Sequence, residues 1–557
     1  MRHLFIAAAV AALVPIGANA QTASELAKPS THEVINYGMN YGQTRYSPLT
    51  QITPENAKDL EPVWNYSYDD NRSEESQPLV YKGVIYVTTN SATMAIDAKT
   101  GTQIWKTKVE YPPETPRIVC CGIINRGAAI YDGKIFRTTL DANVIALDAK
   151  TGKQLWKSNA IDFKAGYSMT VAPLVADGVV LTGVSGAEFG TRDFIDGWDP
   201  NDGKHLWRTY TIPGPGEPGA DTWPGDTAQH GGGSTWITGS YDPELHTVYW
   251  GIGNPGPFNA AVRKGDNLYT CSVMALDPKT GKMKWYYQFS PNNPFDYDSV
   301  AEMMLTSLKV NGKETKVVID ANRNGFIYVI DRTSGKLLKA NPYVKVNWAS
   351  GIDMKTGRPI ETDVSAKARA GQQVEVWPSI LGGKNWEPAS FDPKTRMVYA
   401  NTLNFGGNYK AVPAEYKAGE WYLGMDLSLG WAWPKANGKD LPRGYLKAID
   451  PLTGKAKWEA PSDIPRFSGV LSTGGGVVFS GQLTGEFEAF DANTGKKLWH
   501  FKTGSGIEGQ PITWEQDGTQ YVAVSSGIGG VYSLFSGDER LAKVPAGGSL
   551  WVFALRK

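Results

Sequence analysis

One short motif recurs along this chain and constrains its fold more than any other feature. In each copy an Asp is followed three residues later by Thr or another polar residue, then by Gly, and four residues after the Gly by Trp. The Asp and Thr side chains can bond backbone groups in a turn and the Gly supplies a positive φ, so each copy predicts a β-hairpin. The copies run from Asp97 to Trp105, Asp148 to Trp156, Asp199 to Trp207, Asp277 to Trp285, Asp331 to Lys339 (where the Trp is lost), Asp450 to Trp458 and Asp491 to Trp499.

The spacing of these copies predicts a β-propeller. Successive Trp residues are about 50 residues apart in the first copies, and self-similarity at this period is typical of propeller blades. The gap between the fifth and sixth copies has room for two units, so a degenerate copy is expected near residues 391–395. We predict an all-β fold, with one eight-bladed β-propeller domain over residues 21–557 and Trp docking motifs. The alternative, a row of separate β-sandwiches, predicts no shared turn motif.

The first twenty residues have the layout of a secretory signal peptide. Arg2 gives a positive start, the run to Ile16 is largely apolar, and Ala18-Asn19-Ala20 is typical of a cleavage site before Gln21. The apolar run is too short for a membrane anchor, and no other stretch is long and apolar enough to span a bilayer. We predict an exported chain that begins near Gln21 after cleavage.

Charge and cysteine content exclude several other classes. The chain has 56 basic and 56 acidic residues, a balance that gives no bulk attraction for nucleic acid or anionic membranes. Its three cysteines, Cys120, Cys121 and Cys271, are too few for a disulfide framework, and no C-x-x-C-H haem motif occurs. Adjacent cysteines can close only a small, strained ring in an oxidising compartment. Strained backbone clusters at functional sites, so this dipeptide indicates one.

The segment Asn292–Ser299 carries Asp296 and Asp298 with single spacing. In an extended segment this spacing puts both carboxylates on one face, and two such groups suit a hard cation bound by oxygen. Surface loops contain many Asp-x-Asp pairs, so a solvated loop is the alternative. Two small-residue segments with an oxygen donor, Ser185–Glu188 and Gly251–Pro255, favour the cation site. Residues 406–443 hold three Trp residues and are predicted to form an apolar lid.

Four segments, in this order on the Trp-motif repeat, resemble those of the quinoprotein alcohol dehydrogenases. These segments are Cys120–Arg126, Ser185–Glu188, Gly253–Pro257 and Asp296–Asp298. The resemblance covers nearly the whole chain after residue 20. It implies a periplasmic enzyme that holds pyrroloquinoline quinone (PQQ) and a metal ion at the propeller axis.

The resemblance implies a set of metal ligands. Glu188, Asn254 and Asp296 match the ligands of the family, and Asp296 also matches the base that removes the alcohol proton. Asp298 matches the additional carboxylate of the lanthanide-dependent members, where calcium-dependent members have a small residue such as Ala. Three negative charges match a trivalent ion better than a divalent one, so a lanthanide ion is expected, with calcium as the alternative.

The resemblance also implies how PQQ is held. Arg323 matches the cation that bonds the quinone oxygens and stabilises charge during hydride transfer, a catalytic role. Cys120 and Cys121 would form a disulfide lid above the flat cofactor, with Trp236 as the floor. The further cofactor-contacting positions are Glu75, Arg126, Thr170, Ser185, Gly186, Ala187, Ser234, Trp386 and Asn404. Each has a local structural alternative; hydroxyls such as Ser234 commonly bond nearby backbone.

The function implied is oxidation of a primary alcohol to an aldehyde, with hydride transfer to metal-bound PQQ. Electrons would then pass to a separate cytochrome c, because the chain has no haem motif. The insertion between Glu188 and Asn254 is shorter than in methanol-oxidising relatives, which argues against methanol as the main substrate. Two alternatives are a calcium- and PQQ-dependent sugar or polyol dehydrogenase and a non-catalytic propeller scaffold for assembly. The sequence leaves open whether the chain is a monomer or a homodimer.

Overall fold

The structure, a computed structural model, describes residues 21–28 and 30–556. The predicted signal peptide at residues 1–20 lies outside the described residues. Helices are short: the α-helices are Ala23–Leu26, Asp363–Arg369 and Val531–Phe535, and the 3₁₀ turns are Ala57–Asp59, Thr115–Arg117, Phe163–Ala165, Ala187–Phe189, Ala220–Thr222, Thr227–His230, Ala260–Arg263, Leu427–Leu429 and Leu541–Lys543. In the part of the chain that is described, no helix has the length and apolar character needed to cross a membrane. The all-β prediction is confirmed.

Within the described residues, eight sheets of four or five strands follow one another along the chain. Sheet 1 contains Leu79–Tyr81, Val84–Thr88, Ala92–Asp97 and Gln103–Lys108. Sheet 2 contains Ala129–Tyr131, Lys134–Thr138, Asn143–Asp148 and Gln154–Asn159. Sheet 3 contains Leu174–Ala176, Val179–Gly183, Phe194–Trp198 and His205–Tyr210. Sheet 4 contains Ser240–Asp242, Thr247–Gly251, Ser272–Leu276 and Met283–Gln288.

The second half of the chain repeats this arrangement. Sheet 5 contains Met304–Val310, Lys313–Ala321, Phe326–Asp331 and Leu337–Pro342. Sheet 6 contains Ser390–Asp392, Met397–Leu403, Gly444–Ile449 and Ala456–Ser462. Sheet 7 contains Val470–Thr473, Val477–Gly481, Glu486–Asp491 and Lys497–Lys502, with Tyr46–Ser47 added in parallel. Sheet 8 contains Ile512–Gln516, Thr519–Ser526, Ser549–Leu555 and, from the start of the chain, Leu60–Ser67. Smaller ladders are Ala349–Ile352 with Pro359–Glu361, Lys435–Ala436 with Lys439–Asp440, and Val374–Val376 with Gly406–Tyr409 and Trp431–Ala432.

In most large sheets the first strands are buried and the fourth strand is the most exposed. The first strands of sheets 1, 3 and 4 are buried at every residue, whereas half of the residues in their fourth strands are exposed. The first strands of neighbouring sheets contact one another, as in sheets 2 and 3 and sheets 4 and 5. The small inner strands therefore surround a common centre, an arrangement typical of a β-propeller.

The repeated turn has the chemistry that the motif predicts. Oδ1 of Asp97 accepts hydrogen bonds from the backbone N–H of Lys99 and Thr100, at 3.0 and 2.8 Å, and from the Thr100 hydroxyl. Gly101 has a φ of +72°, the left-handed region that favours glycine. The turn after Asp148 repeats the same bonds.

Each motif Trp reaches the following sheet. The indole N–H of Trp105, in sheet 1, donates to the carbonyl of Ala149 at the sheet 2 turn, at 3.0 Å. A Cβ on Gly152 of that turn would lie 2.5 Å from the Trp105 ring, so the motif Gly is needed for space as well as for φ. Trp156 bonds the Pro200 carbonyl and meets Gly203 in the same way.

The prediction of a separate, degenerate unit near residues 391–395 is wrong. Residues 390–392 and 397–403 are the first two strands of sheet 6, which is the sheet that carries the Asp450 motif. The sheet that lacks a copy of the motif is instead sheet 8, where Leu60–Ser67 pairs antiparallel with Ser549–Leu555. Its strands come from both ends of the chain, so no continuous motif marks it. Trp64 in this sheet bonds the Ala98 carbonyl of sheet 1.

Candidate active site

A cavity of about 580 Å³ brings together residues from widely separated parts of the chain. Twelve of the sequence-predicted site residues line it: Glu75, Cys120, Cys121, Arg126, Thr170, Ser185, Glu188, Trp236, Asp296, Asp298, Arg323 and Trp386. The other five lie outside the cavity wall as the structure describes it: Gly186, Ala187, Ser234, Asn254 and Asn404. The adjacent cysteines and the two aspartates, which are far apart in sequence, thus face one space.

The Asp-x-Asp segment is a tight loop rather than an extended strand. Oδ1 of Asn293 accepts hydrogen bonds from the backbone N–H of Phe295 and of Tyr297, both at 3.0 Å. Asp296 has a φ of +57°, a conformation that non-glycine residues adopt at a cost of about 1–2 kcal/mol. Such strain persists where surrounding contacts fix it, and it clusters at functional sites.

One guanidinium bridges the two aspartates. Arg323 donates through Nη2 to Oδ2 of Asp296, at 2.9 Å, and through Nη1 to Oδ2 of Asp298, at 2.8 Å. Its Nε donates to the Ile380 carbonyl at 3.0 Å, which fixes the orientation of the side chain. A Cβ on Gly382 would lie 2.2 Å from Cγ of Arg323, so glycine is required there. The two carboxylates therefore meet at one side chain, although the segment is not extended as the sequence prediction assumed.

Asp298 accepts more hydrogen bonds than Asp296 does. Its Oδ1 accepts the backbone N–H of Asn254 at 2.6 Å, and its Oδ2 accepts the indole N–H of Trp236 at 3.2 Å as well as Arg323. Only 4 % of its surface is exposed. Asp298 therefore links the Asn254 segment, the cavity Trp and the cationic side chain in one network.

The carboxylates of this site are largely shielded from water. Burial raises the pKa of Glu188 to about 7, and the negative charge of Asp298 adds to the rise. Burial likewise raises the pKa of Asp296 and of Asp298, which the positive charge of Arg323 opposes. Asp193 is a fourth acid that the sequence reasoning missed; burial raises its pKa to about 7 although Thr191 and Ser234 donate to it.

The donor atoms fit a hard cation. Among the described residues, none forms a hydrogen bond with the buried Oδ1 of Asp296, Oδ1 of Asn254 or Oγ of Ser185. Oxygen atoms that lack a partner are costly when buried, and these belong to the types that bind lanthanide or calcium ions. In the described chain no three His, Cys, Asp or Glu side chains form a closed metal cluster. The Asp296 and Asp298 carboxylates are held by Arg323 instead.

The opposite part of the cavity is built around Arg126. Its Nη2 pairs with Glu75 at 2.8 Å and its Nη1 donates to the Thr170 hydroxyl at 2.6 Å. The guanidinium also lies over the rings of Trp236 and Trp386, 4.6 and 5.2 Å from their centroids. This part of the wall therefore combines flat aromatic surface with a positive charge.

Glu75 has a second carboxylate behind it. Glu508 accepts hydrogen bonds from the Gly530 N–H, at 2.9 Å to Oε2, and from the Ser73 hydroxyl. Burial and the charge of Glu75 raise the pKa of Glu508 to about 8. A Cβ on Gly530 would lie 2.9 Å from an oxygen of each carboxylate, so the glycine makes room for the pair.

The adjacent cysteines are disulfide-bonded and line the cavity, as predicted. Cys121 has a φ of +67°, in the left-handed region that few side chains adopt. Cys271 is a buried free thiol and packs as a small apolar residue.

The predicted residues outside the cavity wall have local partners. The Ser234 hydroxyl donates to Asp193 at 2.7 Å and accepts the Ala187 N–H at 3.2 Å. The Asn404 amide donates to the Pro442 carbonyl at 2.8 Å. Gly186 and Ala187 instead form the turn that presents Glu188. Cofactor contact by these four residues stays a prediction.

Sequence reasoning missed an apolar wall and the amides of Asn385 and Asn408. Asn385 lines the cavity next to Trp386. Phe258, Leu423 and Met425 also line it and pack in the same apolar cluster as Phe295 and Tyr297, the two residues that flank Asp296. Phe258 follows the Gly253–Pro257 segment directly, a signal that could have identified it. Leu423 and Met425 belong to the predicted lid, but no motif distinguishes them from other apolar residues.

The predicted lid lies over the candidate metal ligands. The Tyr422 N–H donates to the Glu188 carbonyl at 2.7 Å, and the Phe258 N–H donates to the Leu423 carbonyl at 2.7 Å. The ring of Trp421 packs on Phe189, with centroids 4.9 Å apart. We refer to residues 411–425 as the strap. It covers the Glu188 and Phe258 segments together.

Comparison with known proteins identifies the family to which this chain belongs. The family model "PQQ: Glucose/ethanol/alcohol dehydrogenase, beta-propeller domain" matches residues 35–348 and 432–522. The chain belongs to the PQQ-dependent alcohol dehydrogenases. This dehydrogenase is 39% identical to the quinoprotein alcohol dehydrogenase PedH of Pseudomonas putida, over 94% of this chain and 91% of that protein. It is 41% identical to the quinoprotein ethanol dehydrogenase of Pseudomonas aeruginosa over the same shares.

Two further similarities concern metal type. The dehydrogenase is 41% identical to the lanthanide-dependent methanol dehydrogenase of Methylacidiphilum fumariolicum, over 89% of this chain and 84% of that protein. A solved structure, of a europium-containing methanol dehydrogenase, superposes with a TM-score of 0.89 at 39% identity and covers 95% of this chain and 99% of the other. The predicted family, all-β propeller fold and PQQ cofactor are therefore confirmed.

Proposed function

We propose that this PQQ-dependent alcohol dehydrogenase oxidises primary alcohols to aldehydes, with Asp296 as the base that takes the hydroxyl proton. The observation that carries the proposal is Oδ1 of Asp296, which is buried against the cavity and receives no hydrogen bond from the described residues. A base must lie within hydrogen-bond reach of the proton it removes, and this oxygen is free to accept one. The neighbouring Arg323 keeps the carboxylate partly balanced in charge.

We assign the metal ion to Glu188, Asn254, Asp296 and Asp298, and we propose a lanthanide rather than calcium. The support is the unpartnered Oδ1 of Asn254, together with the Asp296 and Asp298 carboxylates that pair with Arg323 and the Glu188 carboxylate, whose charge interacts with that of Asp298. When bound, the metal ion supplies Lewis acidity. Asp298 contributes the third negative charge, which a trivalent ion balances better than a divalent one.

We assign PQQ to the part of the cavity between Trp236, Trp386 and the Cys120–Cys121 disulfide. Bound there, PQQ would supply the acceptor for the hydride that leaves the alcohol carbon. Arg126 is placed to bond an anionic group of the cofactor, because it is buried, stacked on two indoles and paired with Glu75. Arg323 donates towards the centre of the site and stabilises negative charge that develops there.

Side chains of the protein hold the proton and exclude water from the site. Asp296 holds the proton at Oδ1 after it leaves the alcohol. The apolar residues Phe258, Leu423 and Met425 exclude water from the space beside Asp296, which strengthens electrostatic interactions there. The strap keeps this wall in place through its bonds to Glu188 and Phe258.

The apolar wall formed by Phe258, Leu423 and Met425 indicates which class of alcohol the cavity accepts. An alcohol whose hydroxyl lies at Asp296 extends its carbon chain past Phe258 and Leu423, so apolar alcohols larger than methanol are favoured. Each methylene group buried there contributes about 0.8 kcal/mol, or roughly a fourfold gain in kcat/KM per carbon. A sugar or polyol would leave hydroxyl groups unpaired against this surface.

Leu423→Trp is expected to weaken the dependence of kcat/KM on the length of the alcohol's carbon chain. The larger ring fills the space beside Phe258, so kcat/KM for 1-hexanol falls at least about tenfold while that for ethanol changes little. The measurement is kcat/KM over the series from methanol to 1-hexanol. Leu441→Trp, an exposed substitution beyond the strap, serves as the matched control and should keep the wild-type profile.

We further propose that the enzyme is exported to the periplasm and passes electrons to a cytochrome c. The support is the layout of residues 1–20 and the disulfide between Cys120 and Cys121, which requires an oxidising compartment. We also propose that residues 21–557 form one domain in which the eight large sheets are eight blades, docked by the motif Trp residues. The Trp105 and Trp156 bonds to the following sheets support this.

The function is tested on the purified protein reconstituted with PQQ. Alcohol-dependent dye reduction is measured with La³⁺, with Ca²⁺ and with neither, over a panel of alcohols and sugars. We expect activity on primary alcohols with La³⁺ and little with Ca²⁺. Activity on sugars with Ca²⁺ would favour the polyol alternative. Absence of any PQQ absorbance after reconstitution would favour the scaffold.

A further inference from the structure

Arg263 is a buried cation outside the set of predicted site residues. It has no exposed surface, and it ends the 3₁₀ turn Ala260–Arg263. Its guanidinium donates to neutral oxygens: Nε to the Pro257 carbonyl at 2.7 Å, Nη1 to Oδ1 of Asn267 at 2.8 Å and Nη2 to the Asn293 carbonyl at 2.6 Å. Burying a cation is costly unless its hydrogen bonds are satisfied, so this arrangement indicates a specific role.

Arg263 forms a bridge between two backbone segments, and the first of these is the segment that carries Asn254. Pro257, whose carbonyl accepts Nε of Arg263, lies three residues after Asn254. Phe258 follows and lines the cavity, and its N–H bonds the strap. The position of this carbonyl therefore sets where the Asn254 segment and the apolar wall lie.

The other end is the loop that carries Asp296 and Asp298. Asn293, whose carbonyl accepts Nη2 of Arg263, lies three residues before Asp296, and its side chain holds the backbone N–H groups of Phe295 and Tyr297. Asn293 thus fixes the turn in which Asp296 adopts its positive φ. Movement of Asn293 would move both carboxylates.

A pair of asparagines keeps the bridge rigid. The Asn267 amide donates to the carbonyl of Arg263 at 2.8 Å, while its Oδ1 accepts both Arg263 and the Asn292 amide, at 2.8 and 2.9 Å. The Asn292 amide also donates to the Arg263 carbonyl at 2.9 Å. Asn267 therefore holds both the guanidinium and the backbone of Arg263, and the planar fork reaches two backbone segments at once. A lysine has a single nitrogen and cannot span both carbonyls in this geometry.

We infer that Arg263 is a positioning residue that sets the distance between the Asn254 and Asp296 segments, and so prepares the metal site before the ion binds. The inference rests on the metal ligands assigned under the proposed function. Preorganised ligands bind tightly because little order is lost on binding, so a looser bridge weakens metal affinity first and turnover second.

The test uses sensitised terbium luminescence, which reports metal binding without turnover. Trp236 donates to Asp298 at 3.2 Å, so its indole lies next to the ligand set and can transfer excitation to Tb³⁺. The full chain, prepared free of metal, is titrated with Tb³⁺ as wild type, Arg263→Lys and Arg556→Lys. Arg556 is a 74% exposed arginine, so its substitution is the matched control.

We expect Arg263→Lys to weaken Tb³⁺ binding at least tenfold and to lower kcat with PQQ and La³⁺, with KM for the alcohol nearly unchanged. Arg556→Lys should match wild type in all three. Wild-type Tb³⁺ affinity in a folded Arg263→Lys protein would overturn the inference while leaving the proposed function intact. A wild-type protein that binds no Tb³⁺ would overturn the metal assignment and the inference with it.

A second variant covers the case in which Arg263→Lys does not fold. Asn293→Ala keeps Arg263 and both carbonyls but removes the oxygen that holds the Phe295 and Tyr297 N–H groups. The same loss of Tb³⁺ affinity is expected, with Asn201→Ala in an exposed turn as the control. Unchanged affinity in Asn293→Ala would show that the bridge does not hold the Asp296 loop, and would also overturn the inference.

Discussion

Asp296→Asn is expected to lower kcat at least about 1,000-fold while PQQ stays bound. The asparagine side chain has nearly the same shape and keeps an oxygen that can accept from Arg323, but it cannot take a proton from an alcohol. Loss of a general base removes about 10²–10⁴ in rate, and here the same change also removes one negative charge from the assigned metal site. The two losses act together, so the effect exceeds that of either alone.

The measurement is single-turnover oxidation of an alcohol under saturating La³⁺ and PQQ, with cofactor content followed by absorbance. Asp266→Asn is the control, because Asp266 is a partly exposed carboxylate paired with Arg358 and lies outside the cavity wall. A variant that retains more than a tenth of wild-type kcat would exclude Asp296 as the base.

Asp298→Ala is expected to abolish lanthanide-supported activity. It removes a negative charge from the assigned ligand set, which we expect to weaken La³⁺ binding by about 100-fold or more. It also leaves two buried donors, the Asn254 N–H and the Trp236 indole N–H, without their acceptor. Each unsatisfied group costs about 1–3 kcal/mol, so the melting temperature should fall as well.

Asp298→Asn separates these two effects. The amide oxygen can accept from one of the buried donors, so more stability is retained, yet the charge is lost. Activity with La³⁺ and with Ca²⁺, metal content and thermal unfolding are measured for both variants. Full lanthanide activity in Asp298→Ala would contradict the metal assignment. Equal loss of stability in both variants would contradict the role given to the acceptor atoms.

The repeat motif predicted the fold well because its chemistry is local. The Asp97 turn, the positive φ of Gly101 and the reach of Trp105 to the next sheet all follow from residues within one hairpin and its neighbour. The misplaced unit near residues 391–395 shows the limit. Sheet 8 is assembled from strands at both ends of the chain, and pairing over that distance leaves no periodic signal in the sequence.

The site was predictable where a residue lies in a distinctive segment. The cysteine pair, Glu188, Arg323 and the two aspartates all lie in such segments, and the structure brings them to one cavity. Leu423 and Met425 could not be distinguished, because apolar residues in a lid look alike until the packing is known. Arg263 was missed for a different reason: its partners are mostly backbone carbonyls, whose positions depend on the fold rather than on the residue types.

The pairing of Leu60–Ser67 with Ser549–Leu555 has a consequence for biogenesis. Glu75 follows the first of these strands, whereas Glu508 and Gly530, which pack behind it, precede the second. This side of the cavity is therefore complete only when strands from the two ends of the chain have paired. We expect a chain truncated before residue 549 to lack the sheet that supports the Glu75 side of the cavity.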